Sequence, residues 1–269
     1  MPPRSFFSSL KSVTSKLPSK LKISSGSFFH LHPQTVSQTR SDNHYISPYN
    51  ISIVDGAASW KSLIDPYKYS SVFMREIQCY LKENPRKDLD SIIKEAFERT
   101  QEPGGVCCLL MSLNPDTMTL MSYILGDCGY AILRKDDKNG LLKVIHKSKE
   151  KSKFFNKSPQ ITKETDFFSY SQYSQHQMLE NDFIISGSDG LFDNLYDWDI
   201  LDCIKPFIQE YERILDLELV AEIIAKLALK KSKEINYKSP FSEQAKDYYF
   251  DYIGGKMDDI TVIVSQISS

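Results

Sequence analysis

Four apolar runs of this chain meet an aspartate at one end. ISIV stops at Asp55-Gly56, YIL passes through Gly126 to Asp127, FIIS leads through Gly187-Ser188 to Asp189-Gly190, and Asp258-Asp259 opens ITVIV. Each run is short and rich in Val, Ile and Leu, the composition of a buried strand. Strand ends are fixed points of a fold, so the carboxylates can converge from distant parts of the chain. Gathered in one cleft they repel one another unless cations sit between them. All-oxygen ligands suit hard ions such as Mg²⁺ or Mn²⁺ rather than zinc. The chain therefore reads first as a metal-dependent enzyme.

Composition narrows the alternatives. The 269 residues allow one large domain or two small ones. A formal net charge of -2, with no interleaved basic and aromatic stripe, excludes a nucleic-acid footprint. No apolar run approaches the ~20 residues that span a bilayer. The five cysteines form no CxxC pair, which fits a reducing compartment and buried free thiols. Cys128, beside Asp127, reads either as a core thiol or as an oxidisable thiol near a metal. His30, His32, His44, His146 and His176 lack ligand spacing, so no zinc site is expected. Nothing in the sequence fixes an oligomeric state.

Before Asp42 there is no Asp or Glu at all. Arg4, Lys11, Lys16, Lys20, Lys22 and Arg40 lie among serines, with Phe6, Phe7, Leu10, Val13, Leu17, Leu21 and Ile23 interspersed. Such a stretch has the composition of a mitochondrial transit peptide or of a disordered basic tail. The expected division is a leader over residues 1–40 and a catalytic domain over 41–269. The protein is mitochondrial, in the matrix, if the leader targets it, and cytoplasmic otherwise.

From Ser41 onward the pattern predicts a strand over Ile51–Val54 and helices over Pro66–Lys82 and Asp88–Gln101. Strand-like runs follow at Val106–Leu113, Met118–Leu125, Tyr130–Arg134 and Leu141–His146. Turn residues between them, Asn114-Pro115-Asp116 and Lys138-Asn139-Gly140, predict antiparallel hairpins. Lys147–Gln177 reads as a long surface loop and a place for substrate contacts. A strand at Phe183–Ser186, helices over Asp197–Ile214 and Leu217–Lys233, and a last strand at Ile260–Ile267 complete the chain. This order lacks the strict alternation of a doubly wound parallel sheet and predicts an α+β fold layered from antiparallel sheets and helices. Asp88-Leu89-Asp90 follows no apolar strand and reads as a helix start.

Alone, each Asp-Gly is a turn signal. Together, Asp55-Gly56, Gly126-Asp127, Ser188-Asp189-Gly190-Leu191-Phe192-Asp193 and Asp258-Asp259-Ile260-Thr261-Val262 resemble, in order and spacing, the signature elements of metal-dependent protein phosphatases of the 2C type. VDGAASW at Val54–Trp60 is similar to the DGVGGW element of the branch containing the mitochondrial T-cell-activation phosphatase 2C homologue. Asp65-Pro66, Tyr69-Ser70 and Met74 resemble that branch's DPxxFSxxLM, and Phe155-Asn156 with Pro159-Gln160 its FNxPFQL loop. The resemblance covers about Ser41 to Ile267. It implies a four-layer α/β/β/α sandwich of two antiparallel sheets flanked by helices.

The resemblance also implies site roles. Asp55 would bridge two Mg²⁺ or Mn²⁺ ions, the Gly56 carbonyl would bind one, and Asp189 and Asp258 would complete the other. Asp42 would hold metal-bound waters, and Asp127 and Asp193 match a weaker third metal. Metal-bound hydroxide would attack phosphoserine or phosphothreonine in a phosphoprotein, so no catalytic side chain is needed beyond the metal centre. Two departures stand out. Ala57-Ala58-Ser59 replaces a histidine of the wider family and a glycine pair, and the phosphate-binding arginine has no clear match beyond the offset Arg40. These departures support a second reading, a pseudophosphatase that binds phosphoproteins without turnover.

Overall fold

Period-two alternation runs through the central strands. In β4 (Val106–Asn114), Cys107, Leu109, Met111 and Leu113 face one way and Cys108 and Leu110 the other, and all six are buried. A strand buried on both faces needs a packed layer on each side. The computed structural model, which describes residues 21–32, 41–56, 66–84, 87–149, 155–163, 167–208, 214 and 216–269, contains both layers.

Two five-stranded antiparallel sheets pack face to face. The first has the order β2 (Asp42–Ile46), β3 (Asn50–Gly56), β4, β5 (Thr119–Leu125) and β8 (Gln172–Gln177). The second runs β1 (Lys22–His30), β10 (Ile260–Ser268), β9 (Phe183–Gly187), β6 (Gly129–Lys135) and β7 (Leu142–Lys147). Ile51, Ile53, Leu109, Met111, Ile132, Ile184 and Ile263 fill the space between them. Outside the first sheet, α1 (Pro66–Glu83) and α2 (Leu89–Arg99) bury Phe73, Ile77, Ile92 and Ile93 against Val54, Cys108 and Leu110. Outside the second, α4 (Asp197–Ile208) and α5 (Leu217–Ser232) bury Ile200, Ile204, Val220 and Ile224 against Ile185, Val262 and Val264. Each fully buried Ile or Leu contributes about 1.5–3 kcal/mol, so these three apolar layers dominate stability. The expected four-layer α+β sandwich is the architecture observed.

The predicted hairpins are present as β4–β5 and β6–β7. Between them the chain crosses from one sheet to the other at Gly126–Cys128, so β5 and β6 do not pair. Asp88 caps α2, its Oδ1 accepting from the Ser91 N–H at 2.8 Å, as a helix start should. Cys107, Cys108 and Cys128 are buried as expected, with Cys128 in the layer between the sheets, but Cys79 on α1 is exposed.

Three expectations need correction. The segment Lys147–Gln177 is not a continuous loop: it contains a 3-10 turn at Phe167–Tyr170 and the edge strand β8. The helix expected to reach Ile214 is described over Asp197–Ile208 and Ile214 itself is not helical, and a helix α6 (Pro240–Asp247) follows α5. Lys22–His30, taken from its composition as leader, is instead β1, paired along β10 from Lys22↔Ser268 to His30↔Ile260. Its serines bond to partners on β10, Ser24 to Ser268 at 2.9 Å and Ser25 to Ser265 at 2.7 Å. The domain therefore takes in β1, and the leader reading is confined to residues before Leu21, outside the described residues.

Candidate metal centre

Strand register brings the aspartates to one end of the sandwich. Asp42, at the start of β2, lies opposite Asp55 near the end of β3. In the other sheet Gly187, the last residue of β9, pairs with both Gly129 and Val262. Asp127 sits in the crossing just before β6, and Asp189 opens α3 (Asp189–Phe192) just after β9. Two glycines make the approach possible. Gly126 has φ +95°, a left-handed backbone that turns the chain toward Asp127. A Cβ on Gly190 would lie 2.1 Å from the Asp259 carbonyl oxygen, so any side chain there would force α3 away from β10.

Asp55, Asp127 and Asp189 each present an oxygen, all within 4.8 Å of one another. Asp127 Oδ1, Asp189 Oδ1 and Asp42 Oδ1 are buried and have no hydrogen-bond partner among the described residues. Leaving a buried polar atom unpaired costs on the order of 1–3 kcal/mol, more when charged. Three such oxygens at one strand-end cluster are what a hard cation would satisfy, and the all-carboxylate donor set fits Mg²⁺ or Mn²⁺. The other oxygen of Asp42 accepts from Thr261 Oγ1 at 2.6 Å, a bond that ties the two sheets together.

The electrostatics carry the same mark. Burial, then the charges of Asp42, Asp189, Asp127 and Asp258, push the Asp55 carboxyl well above its usual range. Burial raises Asp42 to about 7 against the opposing hydrogen bond from Thr261. Burial and the neighbouring Asp189 raise Asp127 to about 6 and Asp258 to about 8. A cluster this reluctant to ionise is one that a cation would complete.

Asp193 and Asp258 are drawn elsewhere. Lys256 Nζ contacts Asp189 Oδ2, donates to Asp193 Oδ2 at 2.8 Å and lies 3.5 Å from Asp258 Oδ2. Burial works against this ammonium, yet Asp189, Asp193 and Asp258 hold its pKa well above the usual lysine value. Burial raises Asp193 to about 7 even though Lys256 opposes the rise. Asp259, adjacent to Asp258 in sequence, faces away from this cluster. Its Oδ1 accepts from the His32 N–H at 2.7 Å and its Oδ2 from the Ser41 N–H at 2.8 Å, so it anchors the chain on both sides of 33–40.

Gly56, whose carbonyl was expected at the metal, ends β3 with its N–H donating to Ser41 O at 3.2 Å. Arg40 and Ala57-Ala58-Ser59 lie outside the described residues. Lys256 is the residue that sequence reasoning missed. It stands in Gly254-Gly255-Lys256-Met257-Asp258-Asp259, a segment that resembles the family's GGKxDDITV element, but the sequence pattern assigned it no role.

No family model matches the chain. Among curated proteins, probable protein phosphatase 2C 55 of Arabidopsis thaliana is 30% identical over 266 residues, covering 96% of this chain and 55% of that protein. The chain thus spans about half the length of that relative. Protein phosphatase PTC7 homolog of Xenopus laevis is 29% identical over 236 residues, covering 81% of this chain and 76% of that protein. Among solved structures, the photosystem II phosphatase PBCP matches with a TM-score of 0.81 at 25% identity, covering 91% of this chain and 99% of its own. The catalytic domain of the serine threonine protein phosphatase PstP, in complex with 2 manganese ions, shares the fold with a TM-score of 0.63 at 16% identity, covering 93% of this chain and 100% of its own. Relatives aligned along nearly the whole chain, and strand-end aspartates gathered at one end of a two-sheet sandwich, lead to one family: the chain belongs to the metal-dependent protein phosphatases of the 2C type, on a PTC7-like branch.

Proposed function

We propose that the protein is a serine/threonine phosphatase that hydrolyses phosphoserine and phosphothreonine in phosphoproteins with two bound Mg²⁺ or Mn²⁺ ions. The observation that carries this reading is the trio Asp55, Asp127 and Asp189, with oxygens within 4.8 Å of one another. Two of those residues also hold a buried oxygen that no group among the described residues satisfies. In this reading Asp55, Asp127 and Asp189 hold the ions, with the Gly56 carbonyl, Asp42 and Asp258 around them. Bound there, such ions would supply a hydroxide nucleophile at neutral pH and would offset negative charge on the phosphoryl group.

The chain's own residues set the stage. Thr261 fixes Asp42 through Oδ2 and leaves Oδ1 without a partner among the described residues. The short α3 presents Asp189 at its first turn, where the unpaired N–H groups of a helix start favour a carboxylate. Burial of Asp42 and Asp189 keeps bulk water from screening the site, which strengthens every charge interaction in it.

The test is an assay of the purified chain on an aryl phosphate and on a phosphothreonine peptide, with Mn²⁺ and with EDTA. Turnover should require the metal, and Asp55→Asn and Asp189→Asn should each lower kcat by at least about a hundredfold. Turnover that persists in EDTA would remove the two-ion mechanism. Mn²⁺ binding with no turnover would leave the chain as a pseudophosphatase that binds phosphoproteins.

We further infer mitochondrial targeting, supported by Arg4, Lys11, Lys16 and Lys20 among Phe6, Phe7, Leu10, Val13 and Leu17 with no acidic residue. Residues 1–20 fused to a fluorescent reporter should carry it into mitochondria. A diffuse cytosolic signal would overturn the inference.

A further inference from the structure

The acidic end divides into two halves that are compensated differently. Around Asp55 and Asp127 no ion pair is formed among the described residues, and Asp127 Oδ1 has no partner. Around Asp193 and Asp258, a cation is already present. Lys256 Nζ meets Asp189 Oδ2, Asp193 Oδ2 at 2.8 Å and Asp258 Oδ2 at 3.5 Å.

This lysine is held at both ends. Its backbone N–H donates to Asn194 Oδ1 at 2.9 Å, and its carbonyl accepts from Asn194 Nδ2 at 2.8 Å. Its ammonium lies 5.2 Å from the centre of the Phe241 ring, a favourable position for a cation. Only 16% of the side chain is exposed. A lysine left to solvent would adopt many rotamers; this one is seated by its backbone, by an aromatic face and by three carboxylates.

An ammonium and a divalent ion cannot share such a space. Mg²⁺ and Ca²⁺ sit about 2.0–2.6 Å from their oxygens, inside the volume that the Nζ group fills, and the two cations would repel. Resting on the two-ion reading above, we propose that Lys256 is a built-in cation of the centre. It occupies the outer half between Asp189 and Asp193, so that the centre takes two divalent ions and none in that outer place. Because it is covalently tethered, its compensation survives dilution and chelation. The carboxylates of the outer half are therefore held in position before any ion arrives.

Two readouts on the full chain, neither of them activity, test this. Mn²⁺ titration followed by calorimetry and electron paramagnetic resonance counts the ions. Wild type should bind two, and Lys256→Met, which keeps the stem and removes the charge, should bind one more. Lys256→Arg should keep the wild-type number. In EDTA the melting temperature of Lys256→Met should fall by roughly 5 °C or more, because buried carboxylates lose their partner, and saturating Mn²⁺ should recover the loss. The same ion count and the same affinities in wild type and Lys256→Met would overturn the proposal.

Asp193→Asn covers the case in which the lysine variants do not fold. If Asp193 engages the ammonium, this change leaves the Mn²⁺ count as in wild type. A count lower by one would mean that Asp193 holds an ion, and the proposal fails. Absence of Mn²⁺ binding in wild type would sink the two-ion reading instead, while the EDTA melting comparison would still decide whether Lys256 compensates the carboxylates.

Discussion

Asn194 closes the SDGLFDN segment, and its carboxamide makes three hydrogen bonds that no local feature of the sequence announces. Nδ2 donates to Gly190 O at 2.9 Å and to Lys256 O at 2.8 Å, while Oδ1 accepts from the Lys256 N–H at 2.9 Å. The side chain is fully buried, so removing it strands backbone groups away from water. Asn194→Ala should lower unfolding free energy by about 2–4 kcal/mol, read from urea denaturation in EDTA. A loss below about 1 kcal/mol would mean that the Lys256 backbone keeps its place unaided. Gly190→Ala should cost about 1–3 kcal/mol in the same measurement, because its Cβ would press on the Asp259 carbonyl. At this scale the aspartates were legible because strand ends and glycines flag them. Asn194 and Lys256 were not, because the meaning of each depends on the other, 62 positions away. Asp258 and Asp259 are a sharper case. Adjacent and identical in sequence, they diverge because successive side chains of an extended segment point to opposite sides: one faces Lys256, the other the backbone of His32 and Ser41.

Among the elements, every strand that sequence patterning missed lies at the edge of a sheet. β3, β4, β5, β6, β9 and β10 are interior strands, and their apolar runs were read within a residue or two of their observed ends. β1, β2, β7 and β8 are edge strands; of these only β7, announced by the Lys138-Asn139-Gly140 turn before it, was read, and the other three were missed. An edge strand is covered on fewer sides and keeps polar residues that discourage pairing with other chains. KISSGSFFH, DNHYI and QYSQHQ accordingly carry Ser, Asn, His and Gln where the interior strands carry Ile and Leu. The helix α6 did leave a signal, Ser239 as N-cap with Pro240 at the first position and Glu243 in the first turn, but its apolar face is short. The misplaced domain boundary yields a prediction at this scale. A chain starting at Leu21 keeps β1 and should melt cooperatively. A chain starting at Ser41 bares the edge of β10 along its whole length and removes Phe28 from the layer against α5. It should aggregate on warming, measured by light scattering, or lose its cooperative transition. Equal melting behaviour of the two chains would make β1 dispensable.

For the whole molecule, the acidic end is where the two sheets place like charges against each other, and this couples folding to protons and metal together. Asp42 and Asp55 belong to one sheet, Asp189 follows β9 of the other, and Asp127 lies in the crossing between them. Burial is the largest reason that Asp127, Asp42 and Asp258 reach about 6, about 7 and about 8, against an ordinary value of 3.8. The sign follows from proton counting. Between about pH 4 and about pH 8 the folded, ion-free protein holds protons that the unfolded chain has released, so its stability falls as pH rises through this window and levels off above it. A bound ion needs the carboxylates ionised, so protons compete with it and its affinity rises over the same window. Binding stabilises the folded state by mass action. The difference between the melting temperatures in saturating Mn²⁺ and in EDTA should therefore widen from about pH 5.5 to about pH 8. Groups remote from the site titrate equally in both conditions and cancel in the difference. A gap that does not change with pH would mean that these carboxylates are already ionised without divalent ions, compensated by Lys256 alone; a gap that widens makes the metal the element that locks the two sheets together at neutral pH.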